Sequence, residues 1–386
     1  MDAPLVPAYG VGALADVVPA LLSGLGVPGF ADGLALRPAR GVCLLLVDGL
    51  GWQALRAYPK DAPFFTSLAG DSEPITAGFP ATTATSVAAL GTGLPAGQHG
   101  IVGFSFAIPG GPLINALNWR TYGEGDGADL RDRFVPEDIQ PVPTTLERAA
   151  AAGVLVALAV PHLHHGTGLS RAVLRGGDFR GVHALGDLAA TVLAALSGSE
   201  RVFCYAYHGD LDLLGHLYGV GSLPWRLQLN HIDRLAAAIA EGLPPGSQLV
   251  VTADHGMVTV PEQSRLDFDT EPALQAGVRL LGGEPRTRYL YTEPGATGDV
   301  FATWRELIGD RAWIVTRDEA IQQGWFGPVV EDRFRDRIGD VVVAARTDFA
   351  VVRSVVRSRL ASLIGHHGSL TAAEQLVPLL VFGPDS

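Results

Sequence analysis

Five short apolar runs, at residues 41–47, 154–160, 201–207, 248–252 and 377–382, constrain the fold of this chain more than any other feature. They are too continuously apolar to leave one face in water, so they read as strands buried on both sides. Ala- and Leu-rich stretches of helical length lie between them, at 144–152, 185–196 and 226–241. Buried strands alternating with helices predict an α/β fold with a mainly parallel central sheet flanked by helices. In such sheets, sites form beyond the carboxyl ends of the strands.

From 258 to 352 the rhythm changes. This segment holds strand-like pieces (RTRYLYT, DVVVAAR), a helix-like piece at 299–308 and Gly-Trp-Phe-Gly at 324–327, which has the look of an exposed loop. The expectation is a core made of 1–257 and 353–386, with 258–352 as a small inserted α+β cap.

Composition narrows the function. A hydrophobic fraction of 47% with 18% charged residues suits a globular chain with a sizeable core. No apolar run reaches the roughly 18 residues that span a bilayer, and residues 1–10 lack the features of a secretory signal. A cytoplasmic protein without a membrane partner is therefore expected. The net charge of −12 opposes binding to nucleic acid polymers, whereas a small anionic substrate stays open wherever bound metal reverses the local field. Cys43 and Cys204 lie inside apolar runs and read as core residues, not as a disulfide or zinc clamp.

Several polar residues stand where the strands end. Asp48 follows CLLLV and precedes Gly49, and Asp254-His255-Gly256 follows LVVTA. Either alone could be an ordinary turn. Asp212 and His216 are four residues apart, which places both on one face of a helix. His366 and His367 lie just ahead of the last apolar run, and spacing does not say which points inward. The block Phe-Pro-Ala-Thr-Thr-Ala-Thr-Ser at 79–86 reads as the start of a helix, whose amide-bearing end favours a phosphate and an ionised hydroxyl. A capping role would account for one threonine but not for the carboxylates and imidazoles elsewhere. Together these groups suit a pair of divalent ions.

These blocks resemble the alkaline phosphatase superfamily and, within it, the nucleotide pyrophosphatase and type I phosphodiesterase group. They run in the family's order: Asp-Gly at 48, the threonine block ending in Thr92-Gly-Leu-Pro with His99-Gly-Ile, Asp212-x-x-Gly-His, Thr252-x-Asp-His-Gly-Met and the late His367-Gly-Ser. The resemblance implies an alkaline-phosphatase-like fold. It also implies that Asp48, Thr83, Asp254 and His255 serve one metal ion and Asp212, His216 and His367 the other. Thr83 matches the family nucleophile because it stands nine positions before Thr92, and His367 matches the His of His-Gly. The implied chemistry is a covalent phospho-threonine intermediate on a small phosphorylated or nucleotide-like substrate. Zinc suits His and Asp ligands best, with manganese, iron or calcium as alternatives.

One departure concerns substrate binding. Many relatives place Asn shortly after His-Gly-Ile, and here Gly103-Phe104 follows instead. Phe104, Asn115 and Asn118 are the substrate-binding candidates. A phosphomonoesterase would need cations on a dianionic phosphate, with Arg120, Arg171 and Arg226 as candidates, while a phosphonate hydrolase or a phosphomutase would share the metal frame. A metal-binding pseudoenzyme is the non-enzymatic alternative, disfavoured because all seven motif positions hold competent residues. The cluster His162, His164 and His165 brings no nearby carboxylate and is a weaker candidate. His99 and His208 read as supporting hydrogen bonders. Trp119, Tyr122, Trp225, Trp325 and Phe326 read mainly as core, with those in the cap or after Phe104 best placed to stack on a nucleobase.

Overall fold

A computed structural model of the chain describes residues 3–70, 72–123, 127–198 and 201–383. The core strands are β1 (Gly41–Val47), β2 (Leu155–Pro161), β3 (Asp178–Val182), β4 (Val202–His208) and β5 (Ser247–Thr252). The 258–352 segment supplies β6 (Val278–Glu284), β7 (Thr287–Thr292), β8 (Ala312–Thr316) and β9 (Val341–Ala345), and β10 (Leu379–Phe382) returns to the core. The helices used below are α1 (Leu14–Gly24), α2 (Thr83–Thr92), α3 (Leu185–Ser197), α4 (Asp210–Tyr218), α5 (Leu223–Glu241) and α6 (Thr297–Ile308).

The central sheet has the order β10-β5-β1-β4-β2-β3, parallel except for β10 at one edge. β1 lies inside it, with all seven residues buried. Burying a Val or Leu side chain contributes about 1.5–3 kcal/mol, so this strand is an anchor for the fold. Its neighbours run in matched register, Gly41 beside Val202 and Ser247. The carboxyl ends of β1, β4 and β5 therefore emerge side by side, and the segments after them carry Asp48, Asp212 at the start of α4, and Asp254.

The alternation of β7 and β9 explains why DVVVAAR is apolar throughout. Tyr289, Tyr291, Val342 and Ala344 join the main core, while Leu290, Val341 and Val343 face a second core with Val300, Trp304 and Ile308 of α6. The antiparallel sheet β6-β7-β9-β8 is thus buried on both faces.

Two local expectations are corrected, and one strand went unmarked in the sequence. Trp325 and Phe326 are not in an exposed loop: both are fully buried, edge-on to Phe79 at 5.1 and 5.2 Å, and so support the loop ahead of Thr83. That position rules out stacking on a substrate. The run 377–382 is two strands, because Pro378 cannot donate to a ladder; Leu376–Val377 pairs with Ile75–Thr76, and β10 pairs with β5. β3 has no apolar run because it is a half-exposed sheet edge. Among the described residues, no helix is long and apolar enough to cross a membrane.

Candidate active site

The loops beyond the strands bring the seven motif residues together in two adjoining groups. In the first, Asp48, Asp254 and His255 are all buried, with His255 Nε2 3.5 Å from Asp48 Oδ1 and 3.4 Å from Asp254 Oδ2. In the second, His216 Nε2 lies 3.3 Å from Asp212 Oδ2 and His367 Nε2 3.9 Å from Asp212 Oδ1. α4 carries Asp212 and His216 one turn apart, as the spacing predicts. The groups meet where the His255 and His367 rings stack at 3.6 Å. Gly49, at φ 75°, is needed here, since a Cβ would come within 3.0 Å of the Asp212 backbone.

The side chains fit divalent ions on three counts. Each imidazole presents Nδ1 to a backbone carbonyl: His216 to Gly365 at 2.7 Å, His255 to Gly256 at 2.9 Å and His367 to Ala81 at 2.9 Å. A carbonyl only accepts, so Nδ1 carries the proton and Nε2 keeps its lone pair for a cation. One oxygen of each carboxylate, Asp48 Oδ1, Asp212 Oδ1 and Asp254 Oδ2, is buried without a hydrogen-bond partner. Finally, ligand atoms at tetrahedral corners with bonds of about 2.0–2.1 Å stand roughly 3.3 Å apart, close to the separations seen here.

The electrostatics agree. Burial, then repulsion from Asp254 and Asp212, pushes the Asp48 carboxyl well above its usual range. Burial also opposes ionisation of Asp212, but His216, His367 and His255 outweigh it and hold this carboxyl below its usual range. Burial opposes protonation of His216, and Asp212 overcomes it to bring that imidazole up to about 9. Burial and then His255 push His367 well down. Without cations, then, the cluster cannot hold all its carboxylates ionised together.

Thr83 is the first residue of α2, and Thr82 before it makes no side-chain capping bond. Thr83 Oγ1 sits 3.3 Å from His255 Nε2 and 3.5 Å from Asp48 Oδ2. Two cavities of about 250 Å³ meet at Thr83, Leu117 and Asp212. One extends past His216, His367, Phe104 and Glu284; the other runs over Val87, Val160, Leu174, Tyr205 and Tyr207 to His164. Larger hollows elsewhere lie away from this chemistry.

The remaining candidates fall in varied places. Phe104 lines the first cavity, edge-on to Tyr122. Asn115 Oδ1 accepts from the backbone of Leu117 and Asn118, and Asn118 Oδ1 from Arg120, so both oxygens serve a turn, and neither residue lines these cavities. His164 lines the second cavity, while His162 packs on His183 and His165 on Phe179. His366 bonds to the Leu363 carbonyl and His208 to Gln228, and His99 accepts from Ile101 N–H. Trp119 and Trp225 are buried core residues.

Two residues went unmarked in the sequence. Tyr207 donates its hydroxyl to Asp48 Oδ2. Strand alternation could have found it, since Tyr205 and Tyr207 share a face at the carboxyl end of β4. Glu284 comes from β6, is buried, and places Oε2 3.5 Å from His367 Nδ1 while Oε1 has no partner. Burial pushes its carboxyl well above the usual range, against a hydrogen bond from Thr82. Nothing in the run LLGGEPR points to it.

Comparison with known proteins gives the family and the fold. Curated phosphopentomutases of Anaeromyxobacter dehalogenans (strain 2CP-C) and Anaeromyxobacter sp. (strain K) are 29% identical over 185 residues, 47% of this chain and 44% of theirs. The chain thus spans less than half the length of the curated relatives it matches. Human ectonucleotide pyrophosphatase / phosphodiesterase 5 superposes with a TM-score of 0.66 at 18% identity, over 89% of this chain and 88% of that one. An inactive threonine-to-alanine variant of the murine protein, in complex with AMP, gives 0.68 at 17% over the same shares. At these identities the likeness is one of fold. The model of the type I phosphodiesterase / nucleotide pyrophosphatase family matches residues 42–370, from β1 through the loop that carries His367, and the chain belongs to that family.

Proposed function

We propose that the chain is a metal-dependent phosphodiesterase or nucleotide pyrophosphatase that acts through a phospho-threonine on Thr83, with residues 258–352 as a cap over a core formed by the rest. The observation that carries this reading is Thr83 Oγ1 at a helix start, within 3.5 Å of Asp48 and His255 and at the junction of both cavities. Asp48, Thr83, Asp254 and His255 would hold one divalent ion, and Asp212, His216 and His367 a second. Zinc suits these donors best, and the ions would neutralise the phosphate and favour the ionised hydroxyl.

The chain's own groups do the rest. The amide-bearing end of α2 faces the reacting phosphate and favours negative charge on Thr83 Oγ1 and on the phosphoryl oxygens. Tyr207 fixes one Asp48 oxygen and leaves the other free for a cation. The Thr83 Oγ–P bond forms while the P–O bond to the leaving group breaks on the opposite side, and the departing oxygen takes a proton from solvent. Water then cleaves the phospho-threonine and restores the hydroxyl. Inactivity of the murine threonine variant and its bound AMP support a threonine nucleophile and a nucleotide-like substrate here.

Charge favours a diester over a monoester. Three ligand carboxylates and the ionised Thr83 hydroxyl together balance two divalent ions, so no surplus positive charge is left for the second negative charge of a monoester dianion. Among the described residues, neither cavity has a Lys or Arg in its lining. Arg171 pairs with Glu137, Arg226 with Asp61, and Arg120 bonds to the Gly127 carbonyl. The test is cleavage of bis-p-nitrophenyl phosphate against p-nitrophenyl phosphate, with zinc and then manganese, beside a Thr83→Ala variant. We expect faster diester cleavage, lowered about 10³-fold or more in the variant. A monoester preference would move the reading to a phosphatase, and activity surviving in the variant would remove Thr83 from its role.

A further inference from the structure

The cavity between Thr83 and Glu284 has a direction. Thr83 Oγ1 is tied to the group of Asp48 and His255, and in-line displacement expels the leaving oxygen on the side of phosphorus away from the nucleophile. The second ligand group, Asp212, His216 and His367, is then the one that meets the leaving oxygen. The cavity lined by those three residues continues to Glu284, Phe104, Leu117, Pro285, Leu360 and Leu363. Whatever leaves the phosphorus must pass into this space.

Two properties of its wall discriminate among leaving groups. Beyond the ligand groups it is largely apolar, with Thr82 and His366 as further polar members; His366 Nε2 faces the Leu363 carbonyl, and among the described residues there is no Lys or Arg to meet a second phosphate. Its one acidic group beyond the ligand set is Glu284, 5% exposed, with Oε1 buried and unpartnered. Of the nearby guanidinium groups, Arg286 pairs with Glu374, while Arg288 donates Nε and Nη2 to the Val351 carbonyl, keeps Nη1 buried without a partner and does not line the cavity. A buried carboxyl oxygen without a donor costs about 1–3 kcal/mol until one arrives. A pyrophosphate leaving group brings acceptors and no carbon-bound hydroxyl or ammonium donor, so it would leave that oxygen unsatisfied.

We infer that Glu284 is a specificity-determining residue, whose carboxyl accepts a hydrogen bond from a hydroxyl or ammonium on the leaving alcohol. The substrates are then phosphodiesters whose leaving group is a polyol or an amino alcohol, and nucleoside triphosphates are poor ones. This inference rests on the proposed diester reaction. It assigns that reaction to the phosphodiesterase side of the family's two activities. The cavity's 250 Å³ accommodates a small alcohol of this kind.

The experiment measures kcat/KM of the zinc-loaded enzyme on three substrates: bis-p-nitrophenyl phosphate, ATP releasing pyrophosphate, and an AMP diester of glycerol. Wild type, Glu284→Gln and Glu284→Ala are compared. Wild type should prefer the glycerol diester to ATP by about 10²-fold, because sites built to bind a donor reject analogues that lack it. Glu284→Ala should shrink that ratio at least tenfold, each rate being taken relative to the same variant's cleavage of the p-nitrophenyl diester, whose leaving group has no donor, so that any general loss through the neighbouring His367 cancels. Glu284→Gln keeps an acceptor and the shape, so it should retain most of the glycerol preference and gain on ATP. Wild-type cleavage of ATP as fast as of the glycerol diester would overturn the inference, and so would an unchanged ratio in Glu284→Ala. Cleavage of the p-nitrophenyl diester reports separately on the underlying reaction: its absence from wild type would refute the diester reading itself.

Discussion

Divalent ions should act as folding ligands for this chain, and the size of the effect follows from the site. Three carboxylate oxygens of the ligand groups are buried without a partner, and three imidazoles turn Nε2 toward those groups. Metal that binds only the native state at a thousandfold excess over its Kd stabilises by about 4.1 kcal/mol per site. Two sites give about 8 kcal/mol. Unfolding entropy near 2.1 cal/mol/K per residue comes to roughly 0.8 kcal/mol/K for 386 residues. The expected rise in Tm is therefore about 10 °C, near 5 °C from each site. Differential scanning calorimetry of chelated protein, before and after zinc addition, measures it. Asp212→Asn should lose about half of the shift, because the group of Asp48, Asp254 and His255 stays intact. Thr83→Ala should keep nearly all of it. A rise below about 2 °C in wild type, or an undiminished rise in Asp212→Asn, would refute the assignment of ligands to two sites.

Two further predictions concern buried charge. Arg286 and Glu374 pair at 2.6 Å with neither side chain exposed, so Arg286→Met should destabilise the fold by about 3–5 kcal/mol in urea titrations, since it strands a buried carboxylate. A loss under about 1 kcal/mol would show that the pair holds little. His99 is fully buried, and burial, then Arg337, lowers its pKa from 6.5 to about 3. The unfolded chain binds a proton there between those values and the native state does not, so stability falls as pH drops from 6.5 toward 3. At pH 5 this amounts to about 2 kcal/mol. His99→Gln should flatten the dependence by that amount in denaturant titrations at pH 7 and 5, and an unchanged slope would count against it.

The parts legible in the sequence share one physical cause. Buried parallel strands must be apolar along their whole length, so β1, β2, β4 and β5 stand out to within a residue or two at each end, and the polar residues that end them are conspicuous. Asp48, Asp212, Asp254 and His255 were visible for that reason. The parts that were not legible obey other rules. β3 is an edge strand, so nothing demands an apolar run. Trp325 and Phe326 sit between glycines, a context that suggests a loop, but Phe79 needs large apolar partners beneath the threonine block, and only the folded chain shows this. Tyr207 was hidden inside an apolar run whose burial its ring explains equally well.

Glu284 was hidden for a deeper reason, which ties the 258–352 segment to the chemistry. The turn between β6 and β7 carries Glu284 into the cavity and Arg286 into the buried pair with Glu374. Glu374 Oε1 also accepts from Ser369 N–H, and Thr287 donates to the Gly368 carbonyl. Those contacts hold the loop that begins with His367. One four-residue stretch thus sets the far wall of the cavity and braces a ligand residue, although its own sequence carries no metal or phosphate motif. Exchanging this stretch among relatives would alter the leaving-group wall while the first ligand group, on loops of the central sheet, and Thr83, at the start of α2, stayed in place. Changes in leaving-group preference are therefore expected to track residues 284–287 more closely than any motif residue.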